Sequence, residues 1–83
     1  MDLIFSDQAW EDYQHWQNDK KMQKRIHELL KDIQRHPLEG IGKPEPLRHA
    51  LAGCWSRRID SEHRIVYRAS PEGVRIAQMR YHY

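Results

Sequence analysis

The chain has 83 residues, of which 39% are hydrophobic and 31% are charged. A chain of this length buries only roughly 60 to 65% of the surface that its unfolded state exposes, so one domain with one thin core is expected over residues 1–83. The composition is too apolar for a disordered segment, and no apolar run approaches the roughly 20 residues of a membrane-spanning helix. Because the N-terminus also lacks a signal-peptide pattern, we expect a cytoplasmic domain without membrane contact.

Positive charge is concentrated in the second part of the chain. Residues 1–36 contain six basic and seven acidic side chains, whereas residues 37–83 contain eight basic and five acidic ones. Seven of those eight cations are arginines, namely Arg48, Arg57, Arg58, Arg64, Arg68, Arg75 and Arg80. Their planar guanidinium groups suit phosphate, which indicates a nucleic-acid partner. A solvated sheet face whose arginines pair with Asp60, Glu62 and Glu72 explains the charge equally well.

The first part of the chain has the pattern of a short strand followed by two helices. An apolar strand over residues 3–5 ends at Ser6, a favourable N-cap, and a helix is predicted over about residues 7–17. Asn18 and Asp19 begin a second helix, which ends before Pro37. Apolar residues recur every three or four positions in both, so the helices form a hairpin with one buried side. Four aromatic residues are assigned chiefly to the core: Trp10, Trp16, Trp55 and Tyr67.

Residues 37–46, PLEGIGKPEP, contain too many prolines and glycines for a helix or a central strand. A loop of about ten residues is therefore predicted, and loops of this length in small domains are often functional. Glu45 lies between two prolines, which restrict its backbone.

Three strands are predicted after the loop, over residues 55–59, 64–68 and 74–83. Short polar connections between them predict a mostly antiparallel, twisted sheet. In the third strand the apolar side changes between Ile76 and Ala77, which indicates a bulge or a strong twist. The predicted fold class is therefore α+β, with the N-terminal strand and the two-helix hairpin packed on the sheet.

Metal-free RNA cleavage requires a base, an acid and cations, and the basic half of the chain contains candidates for each. Cys54 is the single cysteine, and the histidines show no metal-ligand spacing, so neither a metal nor another cofactor is expected. His82 could exchange a proton near neutral pH. A histidine at a chain end is nevertheless more often a polar strand residue than a catalyst.

The segments GKPEPLRHALAGCWSRRID, EHRIVYR and RYHY resemble the YoeB branch of the RelE-type toxins, and the likeness extends over nearly the whole chain. The resemblance implies a RelE or microbial-RNase-like fold and a ribosome-dependent messenger RNA endonuclease that inhibits translation. It also implies neutralisation by a YefM-type antitoxin and is compatible with a homodimer of the free toxin.

The resemblance assigns roles to individual residues. Glu45 matches the family's general base, His82 its general acid, and Arg64 the arginine that braces the phosphate, with Arg58 assisting. Tyr83 matches a terminal tyrosine that orients a base or the phosphate. Arg48 stands where this branch often has lysine, and it is carried over, like Lys43, only as a phosphate contact.

Each of these residues also fits a purely structural role. Glu45 could be a solvated loop acid, Arg58 and Arg64 could pair with Asp60 or Glu62, and Tyr83 could cover the core. A two-residue turn would place Ile59 opposite Arg64, whereas Arg58 opposite Arg64 needs a three-residue loop or a bulge. The competing functions are a non-catalytic module that binds RNA or protein, and a relative of the gyrase-poisoning toxins.

Overall fold

A computed structural model describes residues 1–81, which form two helices packed on one sheet. In chain order the elements are β1 (Leu3–Phe5), α1 (Asp7–His15), α2 (Lys20–Arg35), β2 (Glu45–Pro46), β3 (Trp55–Arg58), β4 (Arg64–Ser70) and β5 (Gly73–Gln78). Single turns of 3-10 helix follow α1 at Trp16–Asn18 and follow β2 at His49–Leu51. The predicted α+β class is confirmed.

Side-chain caps explain where both helices begin. The Ser6 hydroxyl accepts a hydrogen bond from the backbone N–H of Ala9 over 3.0 Å, and the Asp19 carboxylate accepts one from Met22 over 3.1 Å. Each bond satisfies an N–H group that the first turn of a helix leaves without a partner. The predicted helix over 7–17 is slightly too long, because its last turn tightens into the 3-10 turn that ends at Asn18.

The five strands lie in the order β1-β5-β4-β3-β2. All neighbours are antiparallel except β1 and β5, so the prediction of a mostly antiparallel sheet is confirmed. Of the two alternatives predicted for the last strand, the structure has the bulge, because Val66 lies opposite Gln78 while the next residue, Tyr67, lies opposite Ile76.

The turn between β3 and β4 settles the register that the sequence leaves open. Arg58 lies opposite Arg64, and the backbone N–H of Ile59 donates to the carbonyl of His63 over 2.9 Å. The connection is therefore the three-residue loop Asp60–Glu62. Burial opposes ionisation of the Asp60 carboxyl, but hydrogen bonds from the backbone N–H groups of His63 and Glu62 outweigh it and lower its pKa.

Strand alternation divides the sheet into two faces. The face against the helices contributes to the main hydrophobic core, which contains Ile65, Tyr67 and Ile76 of the sheet together with Ile26, Leu29 and Ile33 of α2. The opposite face, here called the arginine face, carries Glu45, Ser56, Arg58, Arg64, Val66, Arg68, Arg75 and Gln78. Most of the C-terminal arginines therefore lie on the side of the sheet away from the helices.

Three predictions need correction. Glu45 and Pro46 do not belong to the loop, because they pair with β3 as a short edge strand, a position that tolerates proline. The last strand ends at Gln78 and not at the chain end, because the N–H of Met79 donates to the Asp12 carboxylate. Trp10 is not a core residue, since its side chain is 51% exposed and stacks on Tyr13 at the surface of α1.

Candidate active site

Glu45 and Arg64 meet on the arginine face. Glu45 is held at the sheet edge opposite Ser56, and Arg64 is the first residue of β4. A Glu45 carboxylate oxygen lies 3.9 Å from a terminal guanidinium nitrogen of Arg64, and the two side chains are 58% and 13% exposed. Glu45 is therefore the acidic partner of Arg64, a role for which the sequence suggested Asp60 or Glu62.

Arg58 adds a second positive charge beside this pair. It ends β3 directly opposite Arg64, and its side chain is exposed. Its backbone N–H donates to the carbonyl of Gly42 over 2.7 Å, which ties the loop before Glu45 to the sheet. Two like charges opposite each other on antiparallel strands repel, so this position favours an anion between them.

Arg48 and Lys43 lie on either side of Glu45 in the chain. Arg48 lines a surface cleft of about 350 Å³ together with Glu45 and His49. Lys43 is exposed with φ of +52°, and it forms no ion pair with any residue of the described range 1–81. The structure thus places Arg48 in the same cleft as Glu45, whereas Lys43 does not line that cleft.

Residues 79–81, here called the tail segment, are tied by hydrogen bonds to α1, to the 3-10 turn that follows it and to the start of β4. The N–H of Met79 donates to Asp12 over 2.9 Å, and the indole N–H of Trp16 donates to the carbonyl of Met79 over 2.9 Å. The N–H of Tyr81 donates to Nδ1 of His63 over 2.8 Å, and the N–H of Arg64 donates to the carbonyl of Tyr81 over 3.1 Å. The tail segment is therefore held beside Arg64.

The partners of the tail segment could not be found from the sequence. Asp12, Trp16 and His63 were not singled out as partners of the C-terminal chain, and no spacing in the sequence links them to it. The predicted acid His82 and the predicted Tyr83 follow the tail segment in sequence and lie outside the described residues.

Arg57 is a structural residue and not a phosphate ligand. This corrects the prediction that treated all seven C-terminal arginines alike as candidate phosphate-binding groups. It lies one position before Arg58, so strand alternation places it on the helix side, where it is fully buried. Its guanidinium forms an ion pair with Asp32 and donates to the carbonyls of His36, Glu39 and Ile41. Strand alternation distinguishes the two neighbouring arginines, because Arg57 shares the helix side of β3 with Trp55 whereas Arg58 shares the arginine face with Ser56.

These contacts fix the loop that precedes Glu45. The phenol of Tyr67 accepts a hydrogen bond from Arg57 over 3.0 Å and donates to the carbonyl of Pro37 over 2.6 Å. The hydrogen bond from Arg57 lowers the pKa of Asp32, and burial raises the pKa of Tyr67. The loop is therefore attached to a buried charged group at one end and to the sheet edge at the other.

The geometry provides an accessible carboxylate beside guanidinium groups that favour an anion. A carboxylate of this kind can accept a proton, and the arginines can bind phosphate oxygens. Within residues 1–81 there is no group of three or more His, Cys, Asp and Glu side chains that could hold a metal ion, and no helix long and apolar enough to cross a membrane.

Comparison with known proteins places the chain in a family. The model of the YoeB-like toxins of bacterial type II toxin–antitoxin systems matches residues 5–83. Toxin YoeB of Escherichia coli K12 is 55% identical over the full length of both chains. Two solved structures from Staphylococcus aureus, a YoeB–YefM complex and a YoeB dimer, are 53% and 54% identical. Both superpose with a TM-score of 0.91 and cover 100% of this chain and 98% of theirs.

Proposed function

Because this chain belongs to the YoeB-like toxins of bacterial type II toxin–antitoxin systems, we propose that it is an endoribonuclease that cleaves messenger RNA on the ribosome and so inhibits translation. The observation that supports this proposal best is the contact of 3.9 Å between Glu45 and Arg64, with Arg58 directly opposite Arg64. A proton acceptor and two cations on one exposed face are the groups that metal-free RNA cleavage requires.

Each residue has a separate task in the proposed reaction. Glu45 removes the proton from the 2′-hydroxyl, and the 2′-oxygen then attacks the adjacent phosphorus. Arg64 and Arg58 stabilise the negative charge that develops on the phosphate oxygens. As the bond from phosphorus to the 5′-oxygen breaks, His82 donates a proton to that oxygen, which leaves a cyclic phosphate on one fragment and a 5′-hydroxyl on the other.

The remaining predicted residues bind the substrate. Tyr83 orients a base or the phosphate, and Arg48 and Lys43 contact phosphate groups of the flanking RNA. Arg48 is the better supported of the two cations, because it shares a cleft with Glu45. The reaction uses no metal and no other cofactor.

Partners follow from the same family. A YefM-type antitoxin is proposed to bind and neutralise this chain, and the free toxin is proposed to form a homodimer, as in the two structures from Staphylococcus aureus. The ribosome presents the messenger RNA. The proposed site of action is therefore the cytoplasm.

Paired substitutions test the catalytic assignment. Glu45→Gln and His82→Gln remove the two proton-transfer groups, and each is expected to reduce cleavage of translated messenger RNA about 100- to 10,000-fold. Matched controls are Glu11→Gln on α1 and His27→Gln on α2, which lie on exposed helix surfaces away from the arginine face. Primer extension on a message translated in a purified system measures cleavage.

The outcomes separate the competing functions. Undiminished cleavage by Glu45→Gln or His82→Gln would refute the role of the substituted residue. Growth arrest without any cleavage of message would instead support a non-catalytic module or a toxin with a protein target such as gyrase. Retained antitoxin binding by both variants would show that the loss of cleavage is not a loss of folding.

A further inference from the structure

A second pair of arginines lies farther along the arginine face. Arg68 of β4 is opposite Arg75 of β5, and both side chains are exposed. The pair repeats the arrangement of Arg58 and Arg64 about 13 Å away, since Arg68 follows Arg64 by four positions along β4. Like charges directly opposite each other destabilise an antiparallel sheet, and a bound anion would relieve the repulsion.

The guanidinium group of Arg68 is held in place in the free protein. One terminal nitrogen donates to the carbonyl of Ala52 over 2.9 Å. The group also lies against Gly53, where an added Cβ would come within 2.9 Å of it. Gly53 has φ of +94°, a backbone conformation that favours glycine, and its backbone lies close to the guanidinium group. An ordered guanidinium loses less conformational entropy when it binds a ligand.

Neither arginine is neutralised by a strong acidic partner. Arg68 forms no ion pair with the described residues 1–81, and Arg75 has only Glu72 at a distance of 3.9 Å. The side chains of that pair are 61% and 80% exposed, so solvent screens the attraction and a phosphate can replace the carboxylate.

A cleft adjoins the two arginines and has a largely apolar lining. Its volume is about 270 Å³, and Arg68 and Arg75 line it together with Ile4, Cys54, Ile76 and Ala77. Proteins that bind single-stranded nucleic acid combine cations that follow the backbone with planar groups on which the bases stack. The cleft provides the cations, and its apolar lining provides a surface against which a base can lie.

We propose that Arg68 and Arg75 form a phosphate-binding subsite for single-stranded RNA, which holds the chain about 13 Å from the linkage that is cleaved. This role rests on the proposed function, because the position of the subsite is defined relative to the proposed cleavage site at Glu45 and Arg64. The subsite increases affinity for longer RNA and takes no part in proton transfer.

The salt dependence of RNA binding tests the subsite without any cleavage. The double variant Arg68→Gln/Arg75→Gln is compared with Lys31→Gln/Arg35→Gln, which removes the same charge from the exposed surface of α2. The probes are fluorescent 2′-O-methyl RNA oligonucleotides of about 3 and about 10 nucleotides, which lack the attacking hydroxyl. Binding to each toxin is measured across a range of salt concentrations.

We expect the Arg68→Gln/Arg75→Gln variant to bind the longer RNA at least about tenfold more weakly at low salt. The slope of log affinity against log salt should fall by about 1.4, because each lost phosphate contact removes about 0.7 for a single strand. Affinity for the short RNA should change little, and the Lys31→Gln/Arg35→Gln control should keep the wild-type slope.

Two results would overturn the subsite. An unchanged slope for the longer RNA in the Arg68→Gln/Arg75→Gln variant would show that no phosphate binds there. If the same variant bound RNA normally but bound the antitoxin more weakly, the arginines would instead be assigned to an acidic segment of the antitoxin. The proposed function is judged separately, because a protein that shows the expected slopes and cuts no message has the subsite without the nuclease. Conversely, if the protein cuts message but the Arg68→Gln/Arg75→Gln variant keeps the wild-type salt slope, it is a nuclease without the subsite.

Discussion

Nδ1 of His63 accepts a hydrogen bond from the backbone N–H of Tyr81 over 2.8 Å. The following residue, Arg64, begins β4 and donates its own backbone N–H to the carbonyl of Tyr81. Both backbone groups of Tyr81 are thus bound to consecutive residues. Tyr81 has φ of +62°, a strained conformation for a residue with a side chain, and these two bonds maintain it. The position of the chain that leads to His82 therefore depends on His63.

We expect His63→Leu to reduce messenger RNA cleavage about 100-fold, since a displacement of about 1 Å in a catalytic group can have an effect of that size. Leucine fills much of the ring's volume but accepts no hydrogen bond. His63→Asn is the matched variant, because its side-chain oxygen can take the place of Nδ1, and it should recover part of the activity. Single-turnover cleavage rates and thermal unfolding of both variants separate positioning from folding. Equal cleavage rates for the two variants would contradict this role.

Asp32 should make stability depend on pH in the acid range. Its pKa is lowered below the ordinary value of 3.8 chiefly by the hydrogen bond from Arg57, so the charged form favours the folded state. This contribution is fully present above the ordinary pKa and is lost as pH falls through the lowered one. We expect Asp32→Asn to lower the free energy of unfolding at pH 7 by about 2 to 4 kcal/mol. Urea unfolding measured from pH 7 to pH 2 should show the wild type and the variant converging, and a constant difference would contradict the prediction.

Gly42→Ala should disturb the loop before Glu45. Gly42 has φ of +78°, and an added Cβ would lie 2.7 Å from Leu29 and 3.1 Å from the carbonyl of Arg58. Because both the backbone conformation and the space are unfavourable for alanine, a loss of stability of about 1 to 3 kcal/mol is expected, together with slower cleavage. Ala52→Gly, at an exposed position, is a control for a change of similar size. Urea unfolding and single-turnover cleavage check the prediction, and wild-type values for Gly42→Ala would contradict it.

Glu45→Gln should leave stability almost unchanged. The carboxylate is 58% exposed and lies 3.9 Å from Arg64, and ion pairs of this kind contribute less than about 1 kcal/mol. Thermal unfolding of the variant should therefore coincide with that of the wild type to within a few degrees. A large loss of stability would mean that Glu45 supports the fold and that its effect on cleavage is indirect.

Local patterns in the sequence were sufficient to predict the main elements. Ser6 and Asp19 mark the helix starts because their side chains bond to N–H groups only three residues away, and Pro37 ends α2 because it cannot continue the backbone pattern. The change of apolar side after Ile76 located the bulge for the same reason, since alternation is a property of neighbouring residues.

Contacts between distant parts of the chain were decided only by the tertiary structure. The pairing of Glu45 with Arg64 depends on a two-residue edge strand that the prolines concealed, and the burial of Arg57 depends on Asp32 of α2. Trp10 has the spacing of a core residue, yet it stays 51% exposed, with its ring against Phe5 and Tyr13. Hydrogen bonds and ion pairs between such segments depend on distances that the fold alone sets, so no local spacing encodes them.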